Sequence, residues 1–256
     1  MNVLTDIVKY KKQYIQQHKE KISIADLEKK IAENKFIHKS FFKLLESTNQ
    51  PPQVIAEIKK SSPSAGVIVE NYDPKMIMEK YQNRGFRNIS VLTEDKYFQG
   101  SNHDLQLIKQ NFDVAILQKD FIIDEWQIYQ AKAYGADCIL LISEILSDIE
   151  IKKFIGIATS LDMDVLLEFH QVTELPKILN SNLNIIGINN RNLSTLETNP
   201  FHALEIRDMF INEFRDHDIV AESGISSTLI IDKYLSNGIT KFLSLIHISE
   251  PTRLHL

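Results

Sequence analysis

Short apolar runs recur along most of this chain, and segments of helical character separate them. Eight such runs occur, at residues 54–56, 89–92, 114–117, 138–142, 165–167, 185–188, 219–221 and 239–243. The intervening helices are predicted at about 74–84, 102–110, 124–134, 147–159, 173–180, 200–210 and 226–236. Alternation of this kind predicts a parallel sheet covered by helices. Eight repeats predict an α/β fold of the (β/α)8, or TIM, barrel type.

Glycine and proline positions support these boundaries. Asp73-Pro74 is typical of a helix start, and Gly85, Gly135 and Gly238 are typical of helix ends. An open, doubly wound sheet is the competing fold. It is disfavoured because no glycine-rich dinucleotide turn follows the first run, where proline and serine occur instead.

The first 48 residues precede the barrel and are predicted to form a helical extension. Ser23 and Asp26 have the spacing of a capping box at the start of a second helix, and a third helix is predicted over 38–46. These helices either cover the bottom or side of the barrel or form a flap over an active site. The sequence leaves both interpretations open.

Charged side chains end every other apolar run. The first run leads into Glu57 and Lys59, and the third, fifth and seventh lead into Lys119, Glu168 and Glu222. Alternate strands of a barrel contribute to the same interior layer, and barrel enzymes carry their chemistry at the C-terminal strand ends. Burial of five charges does little for stability, so the pattern predicts an enzyme active site.

Composition excludes several other classes of protein. A net charge of −5 argues against nucleic-acid binding, because phosphate recognition needs concentrated Lys and Arg. No apolar run is long enough to span a membrane, and the N-terminus lacks the pattern of a signal peptide. The single cysteine, Cys138, is predicted to be a buried apolar residue, and the composition suits the cytoplasm.

The histidines lack the short spacing of metal ligands, so no metal site is predicted. His170 follows Glu168 by two residues, which would allow a place at the pocket rim, but we interpret it as a polar loop residue.

After the sixth run, Asn189 and Arg191 lie on one side of an extended segment. The planar guanidinium of Arg191 suits recognition of a carboxylate.

Taken together, these motifs closely resemble those of the indole-3-glycerol-phosphate synthase family of tryptophan biosynthesis. The resemblance runs from about residue 1 to Leu243. It rests on Glu57-Ile-Lys-Lys-Ser-Ser-Pro-Ser64, Val91–Glu94, Phe98–Ser101, Lys119-Asp120-Phe121, Gly135–Ile142, Glu168, Gly187–Leu193 and Ala221–Ser226.

The resemblance implies a carboxy-lyase that closes the ring of 1-(2-carboxyphenylamino)-1-deoxyribulose 5-phosphate and releases carbon dioxide and water. It implies no metal or organic cofactor. Lys119 would be the general acid for ring closure and Glu168 the general base, with Lys59 an acid or electrostatic partner. Asn189 would orient hydroxyl groups. Glu57 and Glu222 would hold the lysines and stabilise developing positive charge.

The resemblance also implies the substrate contacts. Arg191 would bind the carboxylate, and Phe121 and Leu140 would contact the aromatic ring. Ser62 and the backbone of Ser223 and Gly224 would bind phosphate. The expected partner is therefore a small phosphorylated molecule, with no nucleic acid and no membrane, and the chain is expected to be a monomer.

The chain departs from the family at its C-terminus. No glycine follows Gly238, where the family has a glycine- and serine-bearing turn that completes the phosphate site, and Pro251 obstructs a closing helix. We expect a single domain comprising an extension (1–48), a barrel (49–243) and a tail foreign to the family (244–256). The eighth strand is expected to pair as far as Ile246. The last βα unit is then incomplete, so phosphate binding and stability are expected to be reduced.

Two other functions remain as alternatives. A neighbouring phosphosugar enzyme such as phosphoribosylanthranilate isomerase is disfavoured, because it gives no reason for two lysines beside Glu168 or for the N-terminal extension. A catalytically silent barrel that serves as a binding partner is the other alternative, and the abnormal tail favours it.

Overall fold

Eight parallel strands form a closed barrel within the part of the chain that the computed structural model describes, residues 3–47 and 51–244. The strands are β1 Gln53–Ile58, β2 Asn88–Leu92, β3 Ala115–Lys119, β4 Cys138–Ile142, β5 Asp164–Phe169, β6 Ile185–Asn189, β7 Asp218–Glu222 and β8 Lys241–Ser244. Each strand pairs with its neighbours in sequence, and β1 pairs with both β2 and β8. The predicted TIM barrel is confirmed.

Helices surround the barrel and precede it. They are α1 Val3–Lys19, α2 Ile24–Glu33, α3 Phe41–Glu46, α4 Pro74–Gln82, α5 Asn102–Asn111, α6 Glu125–Tyr134, α7 Asp148–Ser160, α8 Leu175–Leu179, α9 His202–Met209 and α10 Thr228–Leu235. None of the helices in the described ranges has the length and apolar composition of a membrane span. A short hairpin, Ser61–Ser62 with Gly66–Val67, follows β1.

The last strand closes the barrel although it is short. Its register against β1 runs from Gln53 opposite Lys241 to Ala56 opposite Ser244. The strand begins at Lys241, two residues after the start of the apolar run. Ile239 is not part of the strand, because its N–H donates to the carbonyl of Tyr234 in α10. The predicted pairing as far as Ile246 and the missing closing helix concern residues outside the described ranges.

Side chains alternate between two apolar layers, as the period of a strand requires. Ile55, Leu117 and Leu166 belong to the cluster inside the barrel. Ile116 and Leu167, their neighbours in sequence, belong to the larger cluster between strands and helices. The middle of the interior layer is apolar, and a cluster of charged side chains follows at the C-terminal ends of the strands.

The three N-terminal helices lie at the bottom, at the side and at the top of the barrel. Helix α3 covers the bottom of the barrel, where the N–H groups of Phe41 and Phe42 donate to Asp164 at the start of β5. Helix α2 begins with the predicted capping box and packs on the side against α6. The first turn of α1 reaches the opposite end, where Val3 and Ile7 line the pocket.

Candidate active site

A cavity of about 320 Å³ opens at the C-terminal ends of the strands. Eleven of the twelve residues predicted for the site line it: Glu57, Lys59, Ser62, Lys119, Phe121, Leu140, Glu168, Asn189, Arg191, Ser223 and Gly224. The twelfth, Glu222, is fully buried directly behind Lys119. The folded chain therefore brings together every residue of the predicted site, from six different strands and the loops that follow them.

Lys119 lies among three carboxylates. Its Nζ donates to Glu222 Oε2 at 2.8 Å and lies 3.9 Å from Glu57 Oε2. Burial opposes the charge on this ammonium, but Glu222, Glu168 and Glu57 outweigh it and raise the pKa of Lys119. The side chain is therefore a cation at neutral pH, with a proton available at the cavity.

Glu57 and Lys59 form an ion pair on the same side of β1 and its extension. Burial of Glu57 favours its neutral form, but the charges of Lys59 and Lys119 outweigh burial and lower the pKa of Glu57. Glu57 is consequently an anion that bridges two ammonium groups.

The pKa of Glu168 shifts in the opposite direction to that of Glu57. It is 2% exposed, and its burial, together with the nearby Glu222, raises its pKa well above the ordinary value, while Lys119 opposes the shift. The amide Nδ2 of Asn189 faces its two oxygens at 3.4 and 3.5 Å. A carboxyl group of raised pKa beside a cavity is a stronger base than an ordinary carboxylate and is suited to proton transfer.

Gly187 of β6 makes room for the two buried glutamates on the neighbouring strands. A Cβ atom at this position would lie 3.0 Å from the Cβ of Glu168 and would collide with Oε1 of Glu222. In the described part of the chain, that oxygen has no hydrogen-bond partner. The glycine thus permits a close pair of carboxyl groups that a larger residue would separate.

Polar groups surround the mouth of the cavity. Nη1 of Arg191 donates to Ser64 Oγ at 2.7 Å, which connects the end of β6 to the loop after β1. Ser223 and Gly224 follow β7 with φ of +64° and +70°. Positive φ is unfavourable for serine, and such strain is concentrated at functional sites.

The wall formed by β4 and the loops after β2 and β3 is apolar. Phe121 and Leu140 contribute to it, with Phe98 6.0 Å from Phe121 between ring centroids. Ile142 and Ile7 extend the same surface. One cavity therefore combines an apolar wall with a charged face.

The sequence model of the indole-3-glycerol phosphate synthase family matches residues 4–247. The chain belongs to this family. It is 42% identical to the indole-3-glycerol phosphate synthase of Aliarcobacter butzleri strain RM4018, over 94% of this chain and 91% of that protein. It is 44% identical to the synthase of Prochlorococcus marinus subsp. pastoris, over 89% of this chain and 78% of the other.

Solved structures show the fold alone. The structure of KGPDC from Streptococcus mutans has a TM-score of 0.55 and 10% sequence identity, and the match covers 76% of this chain and 88% of that one. At this identity the likeness concerns only the barrel architecture. The family membership rests on the sequence relatives.

Some lining residues were not predicted as part of the site. Val3 and Ile7 belong to an ordinary amphipathic helix in sequence, and nothing in their spacing shows that the first turn reaches the cavity. Ser64 belongs to a motif of the sequence analysis, but its contact with Arg191 was not predicted. No group of three or more His, Cys, Asp or Glu side chains is arranged to hold a metal ion within residues 3–47 and 51–244.

Proposed function

We propose that this chain converts 1-(2-carboxyphenylamino)-1-deoxyribulose 5-phosphate into indole-3-glycerol phosphate, carbon dioxide and water, as the names of its relatives imply. The observation that carries the proposal is the position of Lys119 among three glutamates at one end of a cavity whose other wall is apolar. No other part of the described chain combines a buried ammonium with a cavity for an aromatic substrate.

Ring closure forms a bond between the aryl carbon that bears the carboxylate and the ketone carbon of the substrate. Lys119 donates its proton to the ketone oxygen, which becomes a hydroxyl group. Glu57 and Glu222 stabilise the positive charge that develops on the anilino nitrogen as the ring loses its aromaticity. Breaking the bond to the carboxylate then releases carbon dioxide and restores conjugation.

Dehydration completes the reaction. Lys59 protonates the departing hydroxyl group, and Glu168 removes the proton whose loss forms the double bond of the indole ring. The raised pKa of Glu168 supports this role, because a carboxylate whose pKa is raised is a stronger base than an ordinary one. Asn189 holds the substrate hydroxyl groups beside Glu168.

Substrate binding uses the two faces of the cavity and its mouth. The guanidinium of Arg191 binds the carboxylate, and Phe121 and Leu140 contact the aromatic ring. Ser62 and the backbone at Ser223 and Gly224 bind phosphate. We infer that the tail weakens phosphate binding and stability, that the three-part division of the chain holds, and that the protein is a cytoplasmic monomer.

The test is indole fluorescence on incubation of the purified chain with the substrate. Appearance of product fluorescence at a rate proportional to enzyme concentration is the expected result. Absence of product, together with tight substrate binding by calorimetry, would instead establish the catalytically silent barrel.

A further inference from the structure

Two histidines outside the cavity stack at the top of the barrel between β5 and β6. His170 follows β5 directly, His202 begins α9, and their ring centroids are 4.2 Å apart with planes inclined by 26°. His170 Nδ1 lies 2.8 Å from the carbonyl oxygen of Asn189, and His202 Nε2 lies 2.8 Å from the carbonyl oxygen of His170. A carbonyl oxygen only accepts, so both nitrogens carry hydrogen atoms.

A second contact fixes the same loop from the other side. Oε1 of Glu144, after β4, accepts the backbone N–H of His170 at 2.6 Å and that of Gln171 at 3.0 Å. The segment that follows β5 is therefore tied to β4 through Glu144 and to β6 through the His170 ring. Burial lowers the pKa of His170, which favours the neutral ring with Nδ1 as its N–H donor.

These contacts join the two segments that carry Glu168 and Asn189. Glu168 lies two residues before His170, and Asn189 is the residue whose carbonyl the ring binds. The Glu168–Asn189 side-chain contact is long, at 3.4 and 3.5 Å, so a small movement of either strand end would break it. Asn189 Oδ1 is held separately by the N–H of Arg191 at 3.0 Å. The pairing of β5 with β6 ends at Phe169 and Ile188, so the His170 ring adds a tie between the two segments one residue beyond the last pair.

We propose that His170 is a positioning residue, whose Nδ1 hydrogen bond to the Asn189 backbone sets the distance between Glu168 and Asn189. The proposal rests on the proposed function, because it assigns His170 to the proton transfers of Glu168. His202 supports it by stacking on the ring and by holding the His170 carbonyl.

Kinetics of three variants test the proposal. An asparagine side chain places an N–H donor close to the position of Nδ1, whereas alanine has none. His170→Ala should lower kcat about tenfold or more with KM within about twofold, because displacement of catalytic groups affects the chemical step. His170→Asn should recover most of kcat, and His103→Ala, which removes an exposed histidine on α5, should match wild type. Equal kcat losses in the Ala and Asn variants, or unchanged kcat in His170→Ala, would overturn the proposal.

Nuclear magnetic resonance separates this inference from the proposed function, because it needs no turnover. The ring of His170 should be the Nδ1–H tautomer. The side-chain amide signals of Asn189 should shift in His170→Ala and stay near their wild-type positions in His170→Asn. An Nε2–H tautomer, or unmoved Asn189 signals in His170→Ala, would refute the positioning role even if wild-type enzyme forms product. If the wild-type protein forms no product, the proposed function is refuted. The Asn189 amide signals and the His170 tautomer would still show whether His170 positions Asn189.

Discussion

The two ends of the barrel both bury charges, but they satisfy them differently. At the bottom, Asp137 is fully buried and accepts hydrogen bonds from Lys109 Nζ, at 2.6 and 2.8 Å, and from the N–H groups of Lys39 and Ile116. At the top, Glu168 and Glu222 are buried beside each other as two carboxyl groups, and the amide of Asn189 approaches Glu168 only to 3.4 and 3.5 Å.

The pKa shifts follow the same division. Burial alone would raise the pKa of Asp137, but the hydrogen bond from His38 and the charge of Lys109 outweigh it and lower that pKa. For Glu168, burial and a second carboxylate raise the pKa, and Lys119 does not compensate. The buried carboxylate at the bottom is surrounded by cations and N–H donors, whereas Glu168 at the top lies beside a second carboxyl group. Substitutions at either end of the barrel test this difference.

The largest effect is expected for Lys119→Ala. Loss of the general acid should lower kcat about 10³-fold or more, since general acid catalysis contributes on the order of 10²–10⁴-fold. Binding of the substrate should be largely retained, which calorimetry measures. Lys152→Ala, on the exposed face of α7, is the control. Near-normal turnover by Lys119→Ala would remove this residue from the mechanism.

Glu168→Gln should reduce the overall rate by roughly 10²-fold, because the amide cannot remove a proton. The loss should fall on the steps after ring closure, so rapid-quench sampling should detect an accumulated intermediate. A normal rate would show that another group is the base.

At the opposite end, Asp137→Asn should destabilise the fold by about 3 kcal/mol and leave kcat unchanged, because it leaves the Lys109 ammonium buried without its counter-charge. Burial lowers the pKa of Lys109, which offsets part of the ion-pair energy. Urea unfolding at pH 7 measures the difference, with Asp113→Asn at the surface as control. If Asp137→Asn loses activity but not stability, Asp137 serves catalysis rather than stability, contrary to the role given to the bottom of the barrel.

The pH dependence of this difference has a defined sign. Because the folded pKa of Asp137 is lowered, its stabilisation is present above the unfolded value of about 3.9 and is lost as pH falls through the folded value. The gap in unfolding free energy between wild type and Asp137→Asn should therefore narrow below about pH 4.

A smaller effect is expected from the C-terminus. Adding a glycine- and serine-bearing turn and a closing helix after Ser244 should lower KM about tenfold, since a hydrogen bond to a charged group contributes roughly 1.5–3 kcal/mol. The melting temperature should rise because apolar surface is covered. Equal KM values and equal melting temperatures for the two chains would refute the inferred impairment.

The barrel and the charged site could be predicted from the sequence because both depend on regular spacing along the chain. Alternate strands place Glu57, Lys119, Glu168 and Glu222 in one layer, and a two-residue repeat places Lys59 beside Glu57. These relations need no knowledge of side-chain conformation. The family resemblance then assigned a role to each residue, and those roles stay predictions until the variants are measured.

Contacts between distant segments could not be predicted in this way. Lys11 lies in a lysine-rich helix that is typical of a solvated face, yet it is 2% exposed and its Nζ lies 2.8 Å from Asp120. The space that Gly187 leaves for two glutamates depends on its neighbours on β5 and β7, which the β6 sequence does not reveal. His170 was interpreted as a polar loop residue, and only the fold shows its bond to Asn189.

The most direct test is the unfolding free energy of Glu168→Gln relative to wild type at pH 7. The raised folded pKa means that ionised Glu168 costs stability, increasingly as pH rises from the unfolded value of about 4.3 through the folded value. Glu168→Gln should therefore be more stable than wild type although it is nearly inactive. A variant of equal or lower stability would contradict the claim that burial of Glu168 at the mouth of the barrel serves catalysis at the expense of stability.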